Sequence, residues 1–335
     1  MSRSRPRALI TGGCGFVGRR FAKWLLDHEY DVTLVDDLSS GLKVEFWPAL
    51  VRPHDLSHLH VHYADFRNFA NDAQPDYELI IHLAAVVGGR PTIDGDPLRV
   101  ATDLAIDATF FNWLARSSAR PKVLYFSSSA AYPVSEQTES HHRPLVETLI
   151  DFRKPLGVPD MTYGWAKLSG EYLALHAVAE YGMDVVVYRP FSGYGEDQDF
   201  SYPFPSIVRR VGRRESPIVV WGSGRQLRDF IHIDDVVNAV FATAWAQQPG
   251  AALNLGSGVG HTFSELAHIA CQLTSYDAEI VNDPSKPEGV FARVGDCTRM
   301  FKYFRPRISL EEGMRRVYCH QLDVGHIPHL PAAVA

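Results

Sequence analysis

Three glycines spaced three apart, Gly12, Gly15 and Gly18, sit in the run Thr11-Gly12-Gly13-Cys14-Gly15-Phe16-Val17-Gly18, between a short apolar segment and a helical pattern. At a strand-to-helix turn each has its own use. The first permits the tight turn, the second lets the backbone approach a pyrophosphate, and the third lets the helix pack closely on a sheet. The helix that opens at Phe16 and Val17 then offers free N–H groups and a partial positive charge to phosphates. Asp36 follows 24 residues after Gly12, at the end of the next apolar run. A carboxylate there accepts hydrogen bonds from the hydroxyls of an adenosine ribose and repels a 2′-phosphate. Strand, glycines, helix, strand and acid in that order predict a dinucleotide site, and Asp36 predicts NAD rather than NADP. Asp37 beside it reads as a turn residue.

Tyr163 and Lys167 stand four apart in Tyr163-Gly164-Trp165-Ala166-Lys167, a spacing that puts both on one helix face. A tyrosine serves as a general base only when its pKa falls well below the usual ~10, and a drop of about three units asks for about 4 kcal/mol of preferential stabilisation of the phenolate. A neighbouring ammonium and a positively charged nicotinamide ring together can supply it. Taken alone, Tyr-x-x-x-Lys also describes an ordinary pair on a helix surface. Ser127-Ser128-Ser129 closes the apolar run Val123–Phe126. Ligands bind at the carboxyl ends of strands in open α/β sheets. A serine of this triplet can therefore hydrogen-bond the substrate hydroxyl that Tyr163 deprotonates; the alternative is a strand-end turn.

Short apolar runs must place these residues. Ala8–Ile10, Val32–Val35, Leu59–Tyr63, Leu79–Leu83, Val123–Phe126 and Val185–Tyr188 read as buried strands bounded by turn residues. Helical patterns lie between several of them: Val17, Phe21, Trp24 and Leu25 share one face, as do Leu168, Tyr172, Leu175 and Ala179. The alternation predicts an α/β fold with a Rossmann-type, doubly wound parallel sheet. After Arg189, prolines and glycines break the chain into short pieces. The expected division is an NAD-binding domain over 1–189 and a second, smaller substrate-binding α/β domain over 190–229 and 259–335. The apolar stretch Ala251–Leu255 predicts a return to the first sheet around 230–258.

With 335 residues the chain can bury both cores. Apolar residues at 46% and charged residues at 21% describe an ordinary soluble protein. A net charge of −6 gives no general attraction to nucleic acid or anionic membrane, so local arginines must bind any phosphate ligand. No apolar run approaches the roughly 18 residues of a membrane span, and the apolar stretch after the basic Met1–Arg7 is too short for a signal peptide. Cys14, Cys271, Cys297 and Cys319 are not spaced as a metal or redox pair. They read as reduced thiols, with a cytoplasmic location and no metal.

Taken in order, Gly12-x-x-Gly15-x-x-Gly18, His82-Leu83-Ala84-Ala85, Ser127-Ser128-Ser129-x-x-Tyr132, Tyr163-x-x-x-Lys167, Arg189-Pro190-Phe191 and the run Arg228–Asp235 resemble the extended short-chain dehydrogenase/reductases, in particular the nucleotide-sugar epimerases and dehydratases. The resemblance covers about residues 7–315. It implies that Ser128, four before Tyr132, is the catalytic serine, that Tyr163 is the acid/base, and that Lys167 holds the nicotinamide ribose and tunes Tyr163. Asp65 and Phe66 match the pair around the adenine. Leu83, Ala84 and Ala85 match the segment beside the cofactor's ribose and phosphates, and Pro190 is a further implied cofactor contact. Arg228 matches the arginine on the diphosphate of a sugar nucleotide, with Ser128, Ser129 and Ser192 as further substrate contacts. The implied partner is a nucleoside-diphosphate sugar and the implied assembly a homodimer.

The chain departs from the family pattern at informative places. Dehydratases of the family carry Asp-Glu after the catalytic serine or threonine, where this chain has Ser129 and Ala130. The 3,5-epimerases use a cysteine where Ala130 stands, although His82–Gly89 is similar to the GDP-sugar branch that includes them. Ser192 replaces the usual asparagine. The segment from Tyr132 to Tyr163, with His141, His142 and four prolines, is expected to fold over the substrate pocket. The favoured reaction is therefore 4-epimerisation through a 4-keto sugar. The alternatives are a dehydratase, a 3,5-epimerase or a 4-ketoreductase of the same family. Outside enzymes, the alternative is a dinucleotide-sensing protein without catalysis.

Overall fold

The computed structural model describes residues 5–88, 95–117 and 119–328. Apolar runs without polar alternation form strands covered on both faces. β1 (Arg7–Thr11), β2 (Asp31–Asp36), β4 (Leu79–His82), β5 (Lys122–Phe126) and β6 (Asp184–Pro190) follow this rule. With β3 (Leu59–Tyr63) and β10 (Ala252–Leu255) they make a seven-stranded sheet in the order β10-β6-β5-β4-β1-β2-β3. Every pairing in it is parallel. The order reverses between β1 and β4, and the loops beyond the carboxyl ends of those strands bound the crevice where such sheets take their ligands.

Two apolar layers hold the sheet. On one face, Phe21 and Leu25 of α1 (Phe16–Asp27) and Val236 and Val240 of α6 (Ile233–Thr243) pack on Ile10 and Leu34. On the other, Phe66 of α2 (Phe66–Asp72), Phe110 of α3 (Thr102–Ala115) and Ala174 of α4 (Met161–Tyr181) pack on Val123 and Tyr125. A third core joins Tyr194, Phe204, Phe230, Leu266 and Met314 away from the large sheet. Around it lie α5 (Pro203–Gly212), α7 (Phe263–Leu273) and α8 (Leu310–Asp323). Its strands are β7 (Ser192–Tyr194), β9 (Leu227–His232), β11 (Gly260–Thr262) and β13 (Ala292–Arg293), with β8 (Ile218–Trp221) paired to β12 (Ile280–Asp283).

Two expectations change. Leu59–Tyr63 is a strand but not a buried one: it is the sheet edge, and His60, His62 and Tyr63 are exposed. An edge strand lies beyond the covering helices on one flank. The apolar face of α4 also divides. Leu168 is buried, whereas Tyr172, Leu175 and Ala179 face outward. The stripe against the sheet is instead Ala166, Lys167, Gly170, Glu171, Ala174 and Ala177, whose small members allow close packing. Among the described residues no helix is long and apolar enough to cross a membrane.

Candidate active site

Gly12 turns the chain after β1 with φ +68°, a conformation that L side chains resist. A Cβ there would stand 2.9 Å from the Ala84 nitrogen, and one at Gly18 would stand 2.4 Å from the Gly12 oxygen. Gly15 precedes α1 with no side-chain cap, and the first-turn N–H groups, Phe16 and Val17 among them, have no partner within the helix. Thr11 Oγ1 accepts the N–H groups of Leu83 and Ala84, each at 3.2 Å, which holds that segment and the following Ala85 against the glycine turn.

Asp36 is 8% exposed. Its Oδ2 accepts from the Cys14 N–H at 2.9 Å and its Oδ1 from the Leu38 N–H at 2.8 Å. Burial pushes its carboxyl pKa up, and these two bonds pull against that. Each oxygen keeps a further lone pair for a ribose hydroxyl. Asp37 accepts from the Ser39 N–H at 2.9 Å, as a turn residue does. Asp65 caps α2 through the Arg67 N–H at 2.8 Å and pairs with the Arg67 guanidinium at 2.6 Å. The Phe66 ring is turned into the core against His82, Phe110 and Trp113, so a contact with adenine is left to its main chain. A cradle that a Cβ would fill, unpaired helix N–H groups and a carboxylate at the end of β2 together fit NAD.

The start of α4 is tied to the turn after β5, because the Asp160 N–H donates to the Ala130 oxygen at 2.9 Å. This sets Tyr163 beside Ser128. Ser128 caps the single turn Ser129–Ala131, its Oγ accepting from the Ala130 N–H at 3.1 Å. Of its neighbours, Ser127 donates to the Glu171 carboxylate and Ser129 is buried. Lys167 is 4% exposed, with its Nζ 5.8 Å from the centre of the Tyr163 ring. Burial pushes the Tyr163 hydroxyl above its usual range; Lys167 and a hydrogen bond with Ser128 oppose that push, and Asp103 and Asp107 add to it. Burial also works against the Lys167 charge, but Tyr163, Asp107 and Asp103 outweigh it and leave the ammonium above its ordinary pKa. The phenol therefore needs additional positive charge before it can act as a base near neutral pH.

A cleft of about 860 Å³ opens beside this helix start, lined by Val134, Gln137, Thr138, Asp160, Met161 and Phe291 among others. The segment between Tyr132 and Tyr163 forms one wall and is anchored from below. Arg189 reaches Tyr132 Oη at 3.0 Å, the Glu147 oxygen at 2.9 Å and Glu171 Oε2 at 2.6 Å. Tyr132 Oη donates to Asn254 Oδ1 at 2.7 Å, and Asn254 Nδ2 donates to the Leu145 oxygen at 2.7 Å.

The second core supplies arginines. Arg228 on β9 donates to the Leu227 oxygen at 2.7 Å and the Glu288 oxygen at 3.3 Å. Its register partner on β13 is Arg293, so the two side chains leave one sheet face on adjacent strands. Arg293 donates to Gln137 Oε1 at 2.8 Å and Asp160 Oδ2 at 2.7 Å, both on the cleft wall. The sequence motif marks Arg228 alone. A strand of two residues has no periodicity to read, and only its pairing with β9 reveals Arg293. Ser192 opens β7 opposite Phe230, and Pro190 ends β6 opposite Leu255. Among the described residues, Glu196, His232 and Asp234 cluster as metal ligands do. Arg20 already pairs with Glu196 at 2.8 Å and Asp234 at 3.1 Å, so a guanidinium is the cation there.

Residues 8–256 match the model of the NAD dependent epimerase/dehydratase family. The chain is 26% identical over 326 residues to the GDP-L-fucose synthase of Sinorhizobium fredii, covering 93% of this chain and 94% of that one. It is 27% identical over 327 residues to the UDP-N-acetyl-alpha-D-glucosaminuronate decarboxylase of Bacillus cytotoxicus, covering 93% and 96%. The crystal structure of the UDP-glucose 4-epimerase of Thermotoga maritima with UDP-glucose superposes with a TM-score of 0.81 at 26% identity, covering 95% of this chain and 99% of that one.

Proposed function

The chain belongs to the NAD-dependent epimerase/dehydratase family, and we propose that within it this protein inverts C4 of a nucleoside-diphosphate sugar. NAD is its cofactor, held by Gly12, Gly15, Gly18 and Asp36, and when bound it takes up and returns the hydrogen at C4. Tyr163 removes the proton from the 4-hydroxyl and later restores it. Ser128 hydrogen-bonds the same oxygen. Lys167 stabilises the phenolate and supplies part of the positive charge that burial of Tyr163 makes necessary. Arg228 and Arg293 hold the diphosphate, which leaves the 4-keto sugar free to turn between its two faces.

One observation carries the choice of reaction. Ser128 stands with Tyr163 and Lys167, but the next two positions, Ser129 and Ala130, are buried and hold neither carboxylate nor thiol. No carbon acid or base is present where dehydration or 3,5-epimerisation draws one, and 4-epimerisation needs none. The experiment is turnover of UDP-, GDP-, dTDP- and CDP-hexoses in deuterium oxide. We expect a C4 epimer with no carbon-bound deuterium and no accumulation of NADH. Deuterium at C3, C5 or C6, or a stoichiometric demand for reduced cofactor, overturns the reading.

The same proposal divides the chain into a cofactor domain over 1–189, with its return at 230–258, and a substrate domain from the remainder. It also makes the protein a homodimer. The outward face of α4, with Trp165, Tyr172, Leu175 and Tyr181 exposed, offers the apolar surface that helix pairing needs. A cytoplasmic location accords with four free cysteines.

A further inference from the structure

A carboxylate removed from water must be answered by a cation and hydrogen bonds, or it loses its charge. Asp103, in the first turn of α3, is fully buried. Its Oδ1 accepts the Val86 N–H at 2.6 Å. Its Oδ2 is equally buried and has no hydrogen-bond partner among the described residues. One turn further along α3, Asp107 is fully engaged: Tyr125 Oη donates to one oxygen at 2.6 Å, and His82 Nε2 lies 3.1 Å from the other. The His82 tautomer follows from its neighbours. Thr11 Oγ1 accepts two N–H groups, so its own proton points to His82 Nδ1 at 2.7 Å and leaves Nε2 to donate to Asp107. His82 is therefore neutral, as its burial also favours.

Lys167 interacts with both acids through its charge, its Nζ 5.9 Å from the centre of the Tyr125 ring and 5.8 Å from that of Tyr163. Among the described residues, the charged and titratable groups facing Asp103 are Lys167 and Tyr163 from α4 and Asp107 from its own helix, with His82 of β4 and Tyr125 of β5 behind Asp107. Among the described residues Asp107 has two donors and Asp103 one. Both charges act on the ammonium, and on the Tyr163 hydroxyl Asp103 weighs more than Asp107.

We propose that Asp103 is a positioning residue for the Tyr163–Lys167 pair, its buried carboxylate offsetting the Lys167 charge and so setting how readily Tyr163 gives up its proton. The proposal rests on the reading of Tyr163 as the proton acceptor. Its sign is fixed. A second negative charge disfavours the phenolate, so Asp103 holds the Tyr163 hydroxyl up and its loss must let it fall. Burial likewise pushes the Asp103 carboxyl up to about 6, against Lys167 and the Val86 N–H. Ionising it thus costs stability as pH rises from about 4 through about 6.

The test uses the NAD-loaded protein and ultraviolet phenolate absorbance. Wild type and Asp103→Asn are each titrated against their Tyr163→Phe counterparts, so that the difference isolates Tyr163. Asp103→Asn should lower the Tyr163 midpoint by about one pH unit, and Asp103→Ser, a smaller acceptor for the Val86 N–H, should lower it likewise should the first variant fold poorly. The melting temperature of Asp103→Asn relative to wild type should rise between about pH 4 and about pH 6 and level off above. An unmoved midpoint in a folded variant, or a melting difference that is flat with pH, overturns the proposal. Neither readout needs turnover, so failure of the epimerase reading, seen as a fully active Tyr163→Phe protein, is a separate result.

Discussion

The two sides of the crevice are built by different means. On the cofactor side, the turn at Gly12, the first turn of α1 and the Leu83–Ala84 segment meet through close main-chain contacts and the Thr11 hydroxyl, and Asp36 is fixed by two N–H donors. On the substrate side, the wall is collected from distant segments and held by side chains: Arg189 on Glu171 and Tyr132, Asn254 on Leu145, and Arg293 on Gln137 and Asp160. Main-chain recognition dictates the residue type at a position, since nothing larger than glycine fits at Gly12 or Gly18. A side-chain scaffold asks only that a set of partners satisfy one another, and many sets do.

The largest effect should come from breaking the substrate-side scaffold. Arg189 and Glu171 are each only 2% exposed, with 2.6 Å between Nη2 and Oε2. Arg189→Ala leaves a buried carboxylate without its cation, which costs about 3–5 kcal/mol. Urea unfolding should show that loss, while the NAD dissociation constant of the folded protein stays within about twofold of wild type. Parallel loss of NAD affinity would mean that the two sides are one cooperative unit. Where the sides meet, Tyr163→Phe keeps the ring and removes the hydroxyl. Turnover should fall ~100-fold or more, the usual contribution of a general acid–base step, with NAD binding again unchanged. Full activity in that variant removes Tyr163 from the chemistry.

The same contrast explains what the sequence made legible. Gly12, Gly15, Gly18 and Asp36 belong to one strand–helix–strand unit whose spacing is fixed by local geometry, so their positions could be read directly. The parallel sheet was equally open, because each buried strand is a continuous apolar run. Leu59–Tyr63 misled because its composition suits a strand while only the sheet order tells edge from centre. The α4 face misled because the helix is apolar on two sides, and the bulky side, Tyr172 and Leu175, is the outer one. Arg293 and Asp103 were hidden for a different reason. One owes its place to a two-residue strand pairing across the chain, the other to a helix turn that burial makes singular.

The smallest expected effect falls on the two arginines of the second core. Arg228 and Arg293 stand in register on β9 and β13, and a guanidinium can grip a phosphate with two parallel hydrogen bonds. Arg293→Ala should weaken binding of the sugar nucleotide by about 1.5–3 kcal/mol, the range for hydrogen bonds to charged groups, and leave NAD affinity unchanged. Arg228→Ala should behave alike. Both variants carry a structural share that a melting curve will expose, because Arg228 bonds the Leu227 and Glu288 oxygens and Arg293 bonds Gln137 and Asp160. If both arginines hold one diphosphate, the double variant should lose less than the sum of the single losses, because neighbours that share a ligand are not additive. Arg293→Lys keeps the charge but not the fork, so it should recover only part of the loss. Calorimetric titration with the nucleotide sugar and with NAD separates these outcomes. Additive losses would place the two guanidiniums on different groups, and an equal loss of NAD affinity would show that β13 supports the cofactor side as well.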